Sequence, residues 1–277
     1  MLEQIFFWIT VFAYVGGSLG LACCFIFQTS RASRVANLTL WLGLITNLLT
    51  IAIRFARGGH LFTGQIYEDS LVIAAMTLAV YLSLHKKLST TGPLGMILTS
   101  FSFLLLGLGH FYRKDILPLK AAYLSQWMVV HGLFALLAVV CFVVASGCSL
   151  LYLAKSRYPE GTEPPRLRSL PTLEILDELG ARLILFGFFA WTVMLLSGAI
   201  WAKDLYGGYW SWDPVETWSL ISWLAWGILL HLRLNYRRRE KWLAWLTLGC
   251  LLTSIISLWG LGLVTSGTFH NLQQLLY

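Results

Sequence analysis

The chain has 277 residues, of which 57% are hydrophobic and only 12% charged, with a mean hydropathy of +0.71; an ordinary soluble domain carries about 25% charge. That balance excludes a soluble globular fold, and the formal net charge of +7 reports loop topology rather than a nucleic-acid surface, because in a multispan protein the placement of Lys and Arg outweighs their sum. Apolar runs near the roughly 20 residues of a membrane-crossing helix recur, without the alternation of a transmembrane barrel, so the expected class is all-α and polytopic in the lipid bilayer.

Eight spans are predicted, near residues 4–27, 36–54, 69–85, 94–111, 124–153, 182–202, 214–232 and 242–264. The first run, Ile5 to Phe27, follows a start whose only charge is Glu3. It lacks the basic region and small-residue cleavage site of a signal peptide and reads as a retained span. With the N-terminus outside, the inner connections hold most Lys and Arg, leaving Arg54, Arg57, Arg113, Lys114, Lys120 and Lys203 outside. Positive-inside bias therefore places both termini outside. The longest inner connection, Lys155 to Ala181, carries Pro159, Pro164, Pro165 and Pro171 before an amphipathic stretch, Leu173 to Leu179. That stretch is expected as a helix lying on the membrane surface. No second soluble domain, internal repeat or low-complexity segment is visible, so residues 1–277 read as one membrane domain. Cys23, Cys24, Cys141, Cys148 and Cys250 lie in apolar runs with no C-x-x-C spacing, and packing is the expected role.

Between the sixth and seventh spans, residues 201–218 form a dense external aromatic segment that includes Gly207-Gly208-Tyr209-Trp210-Ser211-Trp212-Asp213-Pro214-Val215-Glu216-Thr217-Trp218. Part of it is structural: Asp213 is suited to cap the next helix, Pro214 to its first turn, and Glu216 stands three residues after the cap, the spacing of a capping box. Trp and Tyr gather at membrane interfaces in any membrane protein, and Trp223, Trp226, Trp242 and Trp245 are expected as such anchors. Gly207 and Gly208 before Tyr209, Trp210 and Trp212 combine close backbone approach with several flat apolar faces. Such a shelf suits a planar, largely apolar ligand.

The histidines then choose among ligands, because neutral imidazole is the usual axial ligand of haem iron. A helix starting at Pro214 reaches His231 after about 26 Å, which puts His231 at the inner face, away from the shelf. His131, about two turns into the fifth span, and His270, just past the eighth, both fall near the outer face. They are the pair able to flank the shelf. His85 and His110 sit at span ends where an interfacial role serves, and His60, in Gly58-Gly59-His60, has no independent ligand argument. Beside His231, Arg233 and Arg237-Arg238-Arg239 suit either an inner-face anchor or a cationic entrance for haem propionates. Arg54, Arg57 and Lys203 are outer cations of matching chemistry.

Residues 207–218 resemble the tryptophan-rich WWD signature of the haem-handling cytochrome c assembly proteins. The continuation into Leu230-His231-Leu232-Arg233 and the upstream run Arg54 to Glu68 resemble its CcsA (ResC) branch, so the likeness covers most of the chain. What the resemblance implies is a system II haem lyase (holocytochrome c synthase) subunit that holds haem b. His131 and His270 would be axial ligands at the outer site and His231 would belong to an earlier, inner one. It also implies a separate CcsB (ResB) type partner, an apocytochrome c bearing a reduced Cys-x-x-Cys-His motif as acceptor, no nucleic acid, and a bacterial cytoplasmic or thylakoid membrane. Gly267-Thr268-Phe269-His270-Asn271 departs from the family's Gly-Leu-His-Ser-Tyr. The alternatives are a HemX-like regulator of tetrapyrrole synthesis, which shares the eight-span body, a b-type electron-transfer cytochrome, and a scaffold whose tryptophans only anchor. A cytochrome b pairs its ligands in the membrane core, whereas these histidines lie toward the faces.

Overall fold

A computed structural model describes residues 1–27, 30–59, 65–87, 92–113, 125–159, 161–235 and 240–260. Its elements are helices α1 (Leu2–Phe27), α2 (Ser30–Gly58), α3 (Ile66–Lys87), α4 (Gly92–Phe111), α5 (Gln126–Lys155), the short α6 (Pro165–Arg168), α7 (Leu173–Tyr206), α8 (Pro214–Asn235) and α9 (Lys241–Ile255). A π-helical turn, Ile256–Gly260, continues from α9. No strand occurs among the described residues. Eight helices, all but α6, are long and apolar enough to cross a membrane, as the eight predicted runs require. The protein is an all-α polytopic membrane protein.

The chain divides into two compact units. The first contains α1 to α4, residues 147–155 of α5, α6 and residues 173–179 of α7. Its tightest pairing is α1 on α2, where a Cβ at Gly20 would stand 2.9 Å from that of Ala36 and one at Gly17 would strike the Leu40 side chain. Small residues let helix backbones approach where lipid supplies no hydrophobic drive between helices. Polar groups inside this unit bond one another across helices, as buried groups must: Thr10 to Thr46 at 2.9 Å, and Asn47 Nδ2 to both Tyr14 Oη and the Leu71 carbonyl at 3.2 Å. His85 Nε2 lies 3.0 Å from Asn37 Nδ2, while His110 stacks on Phe7 with centroids 4.7 Å apart. Both are packing histidines.

The amphipathic stretch Leu173 to Leu179 is not a separate surface helix. It is the start of α7, which runs unbroken for 34 residues. Nothing between Leu179 and Arg182 breaks a helix, since Gly180 keeps negative φ and costs only about 1 kcal/mol against Ala. Thr172 Oγ1 accepts from the Ile175 amide at 3.3 Å and begins the helix ahead of the predicted span.

The second unit contains residues 126–146 of α5, residues 180–206 of α7, α8, α9 and the π turn. Its centre is aromatic. Phe142 stacks on Trp226 with centroids 3.8 Å apart and planes within 6°, and Trp191 tilts against the same ring at 5.9 Å. Trp226 is fully buried and its indole donates to Ser254 Oγ at 2.8 Å. It is a core residue and not an interfacial anchor, because it lies about 18 Å along α8 from Pro214, far from that helix end. Trp191 Nε1 donates to the Ser219 carbonyl and Trp223 Nε1 to Thr192 Oγ1.

Candidate functional site

The site is built from the end of α7, the start of α8 and the first turns of α5. α7 stops at Gly207, whose φ of 81° is the left-handed conformation that commonly closes a helix. Its amide donates to the Lys203 carbonyl at 2.9 Å. α8 begins at Pro214, where the Val215 amide donates to Asp213 Oδ1 at 2.7 Å and the Thr217 amide to the Asp213 carbonyl at 2.9 Å. Glu216 reaches back to Ser211, accepting from its amide at 2.8 Å and its hydroxyl at 3.0 Å. Both acidic side chains therefore hold the aromatic segment to the positive end of α8.

The backbone between these anchors is strained at one position. Trp212 has φ of 60°, alone among described non-glycine residues in having positive φ, a conformation that costs about 1–3 kcal/mol and gathers at functional sites. Trp212 is 70% exposed, and its ring meets Trp210 edge-on, with centroids 5.8 Å apart and planes at 83°. The two indoles thus present perpendicular faces, so a flat ligand can stack on only one of them. Trp210 Nε1 is buried and, among the described residues, has no hydrogen-bond acceptor. Tyr209 is half exposed and its hydroxyl accepts from Lys203 Nζ at 2.8 Å, the ammonium also lying over the ring. Gly208 has open space where a Cβ would be.

His131 approaches this segment from α5, five residues after Gln126 and so about 7.5 Å along the helix. Its ring lies 6.1 Å from that of Trp201, the first residue of the segment. Its Nδ1 is 2.9 Å from the Met194 carbonyl. A carbonyl only accepts, so Nδ1 carries a proton, and in the neutral ring this leaves the lone pair on Nε2, the state needed by an iron ligand. Together with an exposed indole face, this donor set fits a haem. His231 is on the same continuous α8 as Pro214, at its far end, exposed, with Nε2 2.9 Å from Asn235 Nδ2. Nearby, Arg233 Nη2 donates to the buried Thr247 at 3.2 Å. His270, His60 and Arg237 to Arg239 lie outside the described residues.

Sequence reasoning offered Arg54 and Arg57 as partners for carboxylates of a ligand; the structure commits both to Glu3. Glu3 is 1% exposed and accepts from Arg54 at 3.4 Å, Arg57 at 2.8 Å and Arg113 at 3.0 Å. Arg54 also pairs with Glu68 at 2.7 Å, which explains both ends of the run Arg54 to Glu68. The residues that sequence reasoning missed are Met194 and Gly198, which hold His131. No local signal marks them, because their partner is more than 60 residues away.

A family model described as cytochrome C assembly protein matches residues 63–269. The chain belongs to that family. Among curated relatives called cytochrome c biogenesis protein CcsA, one from Chlamydomonas reinhardtii is 31% identical over 200 residues, 69% of this chain and 56% of its own. One from Synechococcus sp. (strain CC9902) is 29% identical over 279 residues, 87% of this chain and 90% of its own. The chain thus spans little more than half of the first relative and most of the second. The solved structure of the cytochrome c heme lyase CcmF superposes on 93% of this chain and 46% of its own with a TM-score of 0.71 at 16% identity, a likeness of fold alone. The matched residues take in α3 to α9 and the aromatic segment.

Proposed function

We propose that this protein is the haem-binding subunit of a system II cytochrome c synthase, holding haem b at the outer membrane face for attachment to apocytochrome c. The observation that carries the reading is the 2.9 Å contact of His131 Nδ1 with the Met194 carbonyl, which leaves Nε2 of the neutral ring as the ligating nitrogen, beside an aromatic segment of the cytochrome c assembly type. His131 and His270 serve as axial ligands, while Gly207, Gly208, Tyr209, Trp210 and Trp212 border the ring, which stacks on one of the two indoles. His231 belongs to an inner haem site, with both termini outside and residues 1–277 working as one assembly domain. The membrane is the bacterial cytoplasmic membrane or the thylakoid.

Haem is the substrate, and its vinyl groups supply the reacting double bonds. Each thiol of a reduced Cys-x-x-Cys-His motif adds across one vinyl group, sulfur and hydrogen both ending on the product, so no nucleophile from this chain is consumed. The chain contributes position: ligands fix the substrate's height and tilt, and the strained aromatic segment bounds the face on which the acceptor docks. The acceptor's own histidine then replaces one axial imidazole and eases release. A CcsB (ResB) type subunit completes the lyase.

The test is maturation of c-type cytochromes in cells carrying His131→Ala. Holocytochrome is expected to disappear while membrane insertion of the variant stays normal; undiminished maturation would sink the proposal.

A further inference from the structure

Position 198 of α7 is occupied by a glycine with ordinary helical φ, so backbone freedom is not what it supplies there. In a helix interior such a residue costs roughly 0.5–1 kcal/mol against Ala. The neighbourhood gives the reason for its presence. A Cβ at Gly198 would stand 2.6 Å from Nδ1 of His131, 3.0 Å from Cε1 and 3.7 Å from Cγ, and these are its three nearest contacts outside its own helix backbone. The space that the missing methyl leaves is taken by one imidazole. One turn earlier on the same helix, the Met194 carbonyl receives Nδ1 at 2.9 Å and also the Ser197 hydroxyl at 3.1 Å.

We propose that Gly198 and the Met194 carbonyl are a positioning device for His131. They set its ring orientation and tautomer so that Nε2 presents a lone pair to haem iron. The inference rests on His131 being an axial ligand. A ring nitrogen that donates to a carbonyl makes the opposite nitrogen a more basic ligand, and loss of such an outer partner weakens ligation by about 10–100-fold. A methyl at position 198 displaces the ring from the carbonyl and removes that bond. Because the three nearest contacts of the methyl are all with the ring, its clash is relieved when the ring is absent.

The experiment compares wild type, Gly198→Ala, His131→Gly and the double variant, each as the full chain purified with its partner subunit. Three quantities are read: haem loss to apomyoglobin, the reduction potential of bound haem, and thermal stability of the protein without haem. Gly198→Ala is expected to lose haem about 10–100-fold faster, with a raised reduction potential, and to have no further effect on haem loss or potential in the His131→Gly background, where thermal stability instead rises by the gain in helix propensity. If His131→Gly changes the bound haem but Gly198→Ala leaves loss rate and potential untouched, the positioning role is overturned while the ligand reading stands. If Gly198→Ala lowers stability equally with and without the imidazole, Gly198 serves helix packing and the proposal is again overturned. If His131→Gly leaves the haem unaltered, the ligand reading itself fails and the device with it.

Discussion

Around Glu3, buried charges neutralise one another across α1, α2, α3 and the end of α4, whereas around Trp212 the backbone is strained and aromatic rings face outward. The first region contains more charge, and charge alone would make it the candidate site. Yet Glu3 meets three guanidinium groups and Arg54 divides itself between two carboxylates. A buried ion network of this kind is committed to the fold, because any partner removed strands a charge away from water. The aromatic segment has the opposite character. Asp213 and Glu216 at its end are hydrogen-bonded to backbone, and just before them Trp212 keeps a conformation that only surrounding structure sustains. The difference teaches where to look for function: in backbone strain and outward-facing rings rather than in charge density.

The comparison breaks most readily at Glu3. Glu3→Ala is expected to lower unfolding free energy by about 3–5 kcal/mol, as loss of one partner from a buried ion network does, while the protein that remains folded keeps its cytochrome-maturing activity. Detergent-solubilised thermal unfolding alongside a maturation assay checks both halves; intact stability would mean that the network is solvated. Trp212→Asn sharpens the other side. Asn tolerates the left-handed region, so stability should hold or rise by up to about 1 kcal/mol as strain is relieved. Loss of the stacking face should meanwhile cut maturation on the order of tenfold, the equivalent of an aromatic contact worth about 1.4 kcal/mol. Both quantities falling together would make Trp212 a packing residue. The smallest effect is assigned to Asp213→Ala, about 1 kcal/mol of stability from a lost N-cap, with activity following stability and nothing more.

Much of the fold was legible because its determinants are local. Eight apolar runs give eight membrane-crossing helices, and Asp213 and Pro214 mark the start of α8 through preferences that act over a few residues, whereas Gly207, read for close backbone approach, closes α7. The misreadings have equally local causes. Four prolines before Leu173 suggested that the amphipathic stretch stood apart, but no breaker separates it from the following span, so the two are one helix. The π turn after α9 carries no composition signal; Thr253 and Ser254 hydroxyls donate to the Cys250 carbonyl, and such back-bonding loosens a helix. Trp226 has the same composition cue as an interfacial tryptophan, and only its partner Ser254, on another helix, reveals a core role. In the candidate site, the residue types at positions 131 and 207–216 were readable. What pairs with them was not: the Met194 carbonyl, the room at Gly198 and the commitment of Arg54 to Glu3 all join residues 50 or more positions apart, beyond the reach of any periodicity.

The central claim is that haem is held through His131 at the outer aromatic segment. The most direct measurement is the absorption spectrum of the detergent-purified chain, expressed with and without a CcsB-type partner, for wild type, His131→Ala and His270→Ala. The account predicts a Soret band in the wild type that shifts or disappears in both variants. A band unchanged in both would place haem elsewhere and contradict it.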